Sequence, residues 1–164
     1  VSGTDLKAKV TITIDSLKNS VSDSSFESGD IWKNTKWILE DTKSSLQIEK
    51  NKANVHSENN SISYWKDSNF NFKNYQKIDG LENGTYKLSA WSMGEKGKKS
   101  LYLYSNNGSL ENKTSVIDSG WSKWNKFEIN NINVVNGSLE IGIYGNCMSG
   151  DWGKIDSFEL IRIK

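Results

Sequence analysis

The chain has 164 residues, and its 21 Lys and Arg nearly balance 20 Asp and Glu for a net charge of +1. That balance argues against a nucleic-acid or anionic-membrane partner, which would call for a basic face. No apolar run approaches the ~20 residues that cross a bilayer. Cys147 is the single cysteine, which excludes an internal disulfide and a cysteine-rich metal site, and the single histidine, His56, excludes any catalytic scheme needing two. No signal peptide opens the chain, which reads as a mature or excised fragment. Its length fits one domain over residues 1–164. Seven Trp, six Tyr and no Pro, set among many Ser and Asn, are its distinctive features. Polar, turn-rich text between short apolar alternations is the style of an all-β sandwich.

In chain order, Lys7 to Ile14 alternates as a strand would, so residues 1–20 are either a first strand or a linker. Phe26 is a buried anchor beside Glu27, and Gly29-Asp30 turns the chain. Trp37-Ile38-Leu39 and Leu46-Gln47-Ile48 are short apolar patches. Asn51 to Asn60 is a polar loop carrying His56-Ser57. In the strand that follows, Ile62 and Tyr64 share one face, Ser63 and Trp65 the other. Phe70, Phe72, Tyr75 and Gln76 mark the next strand. Glu82-Asn83-Gly84 is a tight turn. Beyond it Tyr86, Leu88 and Ala90 face one way, and Lys87, Ser89, Trp91 and Met93 the other. Leu101 and Leu103 alternate with Tyr102 and Tyr104. Trp124 and Phe127 lead a further strand, with Trp121 in the loop before it, and Asn136-Gly137 is the strongest hairpin-type turn signal.

Residues 138–160 carry the most information. Leu139, Ile141 and Ile143 alternate with Glu140, Gly142 and Tyr144 as a half-buried strand does. A glycine-punctuated loop presents Asn146, Asp151 and Trp152, and a closing strand enters through Asp156, its alternation of Ile155, Phe158, Leu160, Ile161 and Ile163 imperfect. These two strands read as a pair built to display a surface. In all, eight to ten short strands, no helix and no repeat predict an all-β jelly-roll sandwich of two antiparallel sheets.

The landmarks SSFESG, NVHSENNSISYW, YQKIDGLENGTYKLSAW, GWSKWNKFEI, NGSLEIGIYG and SGDWGKIDSFEL, in that order, resemble the family 61 carbohydrate-binding modules appended to bacterial endo-β-1,4-galactanases. The likeness spans residues 21–164. It departs at Glu58, where the family often has Gly after the His-Ser pair. The resemblance implies a non-catalytic, secreted, extracellular module that binds β-1,4-galactan and targets an attached glycoside hydrolase to plant cell-wall polysaccharide, as a monomer within that enzyme. It also implies one structural calcium, held by the Ser25 carbonyl, the Glu27 carboxylate, the loop from Ser57 to Asn60, and Asp156. Mixed carboxylates and carbonyls are the oxygen donors that Ca²⁺ takes.

Sugar rings present flat C–H patches bordered by hydroxyls, so an aromatic ring stacks on the patch while polar side chains bond the rim. By strand parity Trp91, Tyr102, Tyr104 and Tyr144 fall on the non-core side, and their rings line one face if the strands share a sheet. Trp121, Trp152 and Asn146 sit on loops that could rim it. The candidate contacts are therefore Trp91, Tyr104, Tyr144, Asn146, Trp121 and Trp152, with Trp65 in reserve. Trp32, Trp37 and Trp124 are assigned to the core with Phe26, Tyr64, Phe70, Phe127 and Phe158. Two other classes stay open at this point: an adhesion or structural sandwich recognising host glycan or protein, and a small glycan-cleaving enzyme. Against the enzyme, no acid sits where a raised pKa is evident, and adjacent His56 and Ser57 on a strand would point to opposite faces.

Overall fold

A computed structural model describes residues 18–33, 36–96 and 100–164. The strand expected at Lys7–Ile14 lies outside them. The described residues fold into β1 (Ile38–Glu40), β2 (Leu46–Glu49), β3 (Ser61–Trp65), β4 (Phe70–Asp79), β5 (Gly84–Gly94), β6 (Ser100–Asn106), β7 (Glu111–Ser115), β8 (Asn125–Val134), β9 (Ser138–Cys147) and β10 (Trp152–Arg162). One five-stranded sheet, sheet A, has the order β1-β4-β9-β6-β7, and the other, sheet B, the order β2-β3-β10-β5-β8. All pairings are antiparallel. The expected all-β sandwich is present. A single 3₁₀ turn at Lys52–Asn54 is its only helical element among the described residues.

The chain crosses between sheets at most of its turns, which corrects two expectations. The turn through Asn136-Gly137 joins β8 of sheet B to β9 of sheet A, so it is a crossover and not a hairpin. β9 and β10 likewise belong to different sheets and are not a pair. A two-residue turn signal specifies local backbone reversal, and it says nothing of which sheet the next strand joins. β7, read from the polar text ENKTS, escaped the sequence pattern because an edge strand with no buried residue has no apolar alternation to show.

Apolar residues from both inner faces meet in one core, with Ile62, Leu88, Leu103, Ile141, Ile155, Phe158 and Leu160 fully enclosed. Phe158 packs edge-on against Trp37 at 4.8 Å and Phe26 at 6.0 Å between ring centroids. The imperfect alternation of β10 has a specific cause. Its pairing with β5 shifts register between Asp156 and Glu159, and Ser157 in the left-handed region (φ 54°) is the extra residue of a β-bulge. The bulge lets Ile155 and Phe158, three residues apart, both face the core. β3 pairs with β10 only as far as Ile155. Beyond the bulge, residues 19–24 take its place: Ser20 N–H donates to the Leu160 carbonyl and Phe158 N–H to that of Ser24, each at 2.9 Å.

Because Phe158 closes this aromatic cluster, Phe158→Ala should cost about 3–5 kcal/mol of stability, read as a lower urea midpoint at unchanged slope. A loss under about 1 kcal/mol would contradict the packing described.

Candidate functional site

On the outer side of sheet A, register puts side chains in rows. Lys73 lies opposite Tyr144, which lies opposite Tyr102, and in the next row Tyr75, Gly142 and Tyr104 follow one another. The Tyr102 and Tyr144 rings are 5.0 Å apart and tilted by 31°, so they form a shallow, partly exposed platform. Gly142 leaves room in the second row: a Cβ there would lie 2.7 Å from Cβ of Tyr75 and 2.5 Å from the Asn74 carbonyl oxygen. A cavity of about 170 Å³ opens beside Tyr144, lined by Glu40, Thr42, Asn71, Phe72 and Lys73.

Polar groups in this face are fixed. Lys73 Nζ donates to Glu140 Oε1 at 2.8 Å, and Tyr104 Oη donates to the same oxygen at 2.9 Å. The ammonium also lies 4.2 Å from the centre of the Tyr75 ring and 5.2 Å from that of Tyr104, a cation–π arrangement. Burial, then the neighbouring Glu40 carboxylate, holds the Tyr75 hydroxyl above the usual phenol range. Burial works against the charge on Lys73, but the hydrogen bond and charge of Glu140 outweigh it and hold the ammonium above the usual lysine range. Burial likewise works against Glu140, and Lys73 and Tyr104 reverse the effect, keeping it below the usual carboxylate range. Both groups are thus charged across neutral pH. Hydroxyl-rich ligands find here one strong donor, one strong acceptor and two flat rings.

The six candidate contacts divide between the two outer sides of the sandwich. Tyr144, Tyr104 and Asn146 lie on that of sheet A. Asn146 on β9 and Trp152 on β10 are strand residues and not loop residues as expected, because the ladders run on past the apolar alternation. Tyr104 is only 2% exposed, beneath Lys73 and Tyr102, so it supports the surface from below. Trp91, Trp121 and Trp152 lie on the side of sheet B, which corrects the expectation that Trp91 shares a face with the tyrosines. Trp91 is capped by His56, whose ring stacks on it at 4.1 Å and 20° while meeting Trp124 edge-on at 5.4 Å. Burial, then the charge of Lys126, pulls His56 below its usual pKa, so a neutral imidazole covers the indole. Trp37 is buried as expected, but Trp32 is 53% exposed and not a core residue, and Trp124 is only partly buried, outside the core and against His56. Lys73, Tyr75 and Glu140 were missed, although parity against Phe70, Phe72, Leu139 and Ile141 would have put all three outside. A larger cavity of about 530 Å³ at one end of the sandwich, lined in part by Glu82, Tyr86 and Arg162, holds no exposed ring, since Tyr86 is 2% exposed.

The residues implied for calcium do come together. Asp156, fully buried on the bulge, accepts from the backbone N–H of His56 (2.9 Å), Ser57 (3.0 Å) and Ser157 (2.6 Å). Glu27 accepts from the N–H groups of Asn59 (2.9 Å) and Asn60 (2.8 Å). Ser25 and Ser57 hydroxyls are 3.0 Å apart, and Ser57 lies 2.7 Å from Ser157. Asn60 turns its side-chain amide to the Phe26 carbonyl at 3.0 Å. Burial pushes Asp156 up to about 6 against the pull of those N–H donors, and the Glu27 charge adds to the rise. Two acidic groups, hydroxyls and carbonyls are hard oxygen donors of the type Ca²⁺ takes, and a buried acid raised partly by a second one is a site that a cation would relieve. Among the described residues no group of three or more His, Cys, Asp or Glu could hold a metal, so a cage here would depend on carbonyl and hydroxyl oxygens beyond the two carboxylates.

Glu140→Gln should lower the midpoint at which the Lys73 ammonium loses its proton, followed by NMR of the side-chain amine. An unchanged midpoint would contradict the pairing.

No family model and no curated protein sequence matches the chain. Solved structures do. TmCBM61, a family 61 carbohydrate-binding module solved in complex with β-1,4-galactotriose, superposes with a TM-score of 0.81 at 30% identity, over 89% of this chain and 99% of that one. A family 16 carbohydrate-binding module gives 0.59 at 13% identity over 88% and 100% of the two chains. A xylan-binding domain of Paenibacillus barcinonensis gives 0.52 at 12% identity over 86% and 92%. The last two likenesses are of fold alone. With near-complete mutual coverage of the first, this chain belongs to the family 61 carbohydrate-binding modules.

Proposed function

We propose that the module binds β-1,4-galactan on the outer side of sheet A and performs no chemistry of its own. One observation carries the reading: the half-exposed Tyr102–Tyr144 pair stands beside a charged Lys73–Glu140 pair whose members are held in place from three sides. A β-1,4-linked galactosyl residue offers one apolar C–H face for the rings, while its free O2, O3 and O6 hydroxyls stand at the rim, where a fixed donor and acceptor can bond them. Preorganised groups lose little side-chain entropy on binding. The galactotriose bound by TmCBM61 supports the choice of sugar.

Within a secreted, extracellular enzyme the module would act as a monomer, holding an attached glycoside hydrolase against plant cell-wall polysaccharide by raising its local concentration there. Calcium, where bound, would be held by Glu27 and Asp156 with oxygens of Ser25, Ser57 and the loop to Asn60. It would neutralise the buried acid and fasten that loop to β10, a structural role only.

Titration calorimetry with β-1,4-galactotriose is expected to show binding that Tyr144→Ala and Lys73→Ala each weaken by at least about tenfold, or ~1.4 kcal/mol, with melting temperature unchanged. Equal affinity in both variants would remove the site from this face. For the metal, EDTA should lower the melting temperature by a few degrees and added Ca²⁺ restore it, with Asp156→Asn insensitive to either. Coincident melts of the wild-type module would exclude calcium.

A further inference from the structure

The opposite side of the sandwich carries tryptophans that the sheet A site does not use. Trp65 is 53% and Trp121 60% exposed. Single exposed apolar residues are ordinary on a protein surface, but these are brought together by the fold. Trp65 on β3 lies directly opposite Trp152 on β10, on the outer side of sheet B. Trp121 comes from the β7–β8 loop and is laid across that same side. Gly120 N–H donates to the Gly94 carbonyl at 3.0 Å, and Ser122 N–H to Met93 Sδ at 3.0 Å, pinning the turn to β5. From there the Trp121 indole N–H reaches Asn54 Oδ1 at 3.0 Å, on the segment between β2 and β3. In the strand order β2-β3-β10-β5 this path passes over β3 and β10. Ser63 and Lys154 form the next outward-facing row from Trp65 and Trp152, about 7 Å along the strands.

Two features set this surface apart from an accidental apolar patch. One ring is held: the Trp121 N–H is committed to Asn54, and Asn54 is itself fixed by donating to Glu49 Oε2 at 3.0 Å. Ser122 (φ 62°), two residues after Gly120, stands in the left-handed region, strain of a kind that gathers at binding sites. Its charges are also matched internally. Lys154 pairs with Glu49 at 3.3 Å and donates to Ser63 Oγ at 2.6 Å, so the ammonium in the row next to Trp65 and Trp152 is matched by a carboxylate. Such a surface is complementary to an uncharged polyhydroxylated chain, whose C–H faces stack on indoles. Stacking on preset indoles costs little ordering entropy.

We propose that Trp65, Trp121 and Trp152 form a second sugar-contacting surface on sheet B, for a neutral polysaccharide, so that one module engages two segments of glycan. The proposal rests on the carbohydrate-binding reading but not on the location of the sheet A site. Two weak sites on one body multiply retention on a polymer with little effect on a short oligosaccharide.

The test follows the indole N–H resonances of Trp65 and Trp121, assigned from Trp65→Phe and Trp121→Phe, and the amides of β4, β6 and β9, during titration with soluble β-1,4-galactan fragments. It is run on the wild-type protein and on Tyr144→Ala. Saturable indole shifts that persist in Tyr144→Ala support the second surface. Shifts confined to β4, β6 and β9 overturn it and leave the sheet A site standing. Indole shifts with silent sheet A amides would keep this surface and overturn the site proposed above. Indoles that respond to protein concentration and not to sugar would mark a self-association face and overturn the proposal, as would silence at both surfaces. On galactan-containing gels, a Trp65→Ala/Trp121→Ala variant should lose severalfold in retardation at unchanged galactotriose affinity, and equal retardation contradicts the proposal.

Discussion

The Lys73–Glu140 ion pair converts the outer side of sheet A from a row of tyrosines into a surface with direction. An isolated surface pair of this kind contributes little to stability. Here the pair is embedded: Tyr104 donates from below, and Tyr75 offers its ring to the ammonium. Each member stays charged because the other outweighs the cost of partial burial. The consequence for a ligand is specificity. Rings alone accept the apolar face of many sugars, whereas a fixed donor beside a fixed acceptor discriminates by where hydroxyls stand. A site built to hydrogen-bond a hydroxyl leaves its own polar groups unpaired when that hydroxyl is absent or inverted.

Availability of this face follows from how the sandwich is wound. Loops leading into strands of sheet B fold back over that sheet: the segment before β3 brings His56 down on Trp91, and the segment before β8 crosses from Met93 to Asn54. The buried Asp156 carboxylate ties the first of these loops to the bulge of β10 through the amides of His56 and Ser57. That same bulge turns Phe158 into the core. One irregular residue, Ser157, therefore serves both packing and loop placement. Sheet A carries no comparable cover among the described residues, and Tyr102 and Tyr144 stay partly open to a ligand.

Much of this was legible in the sequence, and the reason is periodicity. Alternation in residues 84–94, 100–106 and 138–147 assigned inner and outer sides correctly, so Tyr102 and Tyr144 were placed outside and Leu88, Leu103 and Ile141 inside. Sheet membership was not legible. The pattern around Trp91 is the same whether β5 joins sheet A or sheet B, because parity reports a side and not a partner. Depth was not legible either. Tyr104 and Tyr102 have the same parity, yet the first is enclosed by neighbours that converge only in three dimensions. The bulge in β10 shifted parity by one residue and looked like noise until its register was visible. Trp32 shows the reverse error, since a large aromatic residue in a short apolar context was assigned to a core that its loop never reaches.

The central claim is positional: the sugar rests on the tyrosines of sheet A, with Lys73 and Glu140 bonding its hydroxyls. A crystal structure of the module grown with β-1,4-galactotriose tests it most directly. The account predicts a galactose ring in contact with Tyr102 or Tyr144 and hydroxyl oxygens within hydrogen-bonding distance of Lys73 Nζ and Glu140. Trisaccharide bound elsewhere, with that pair touching only solvent, would contradict it.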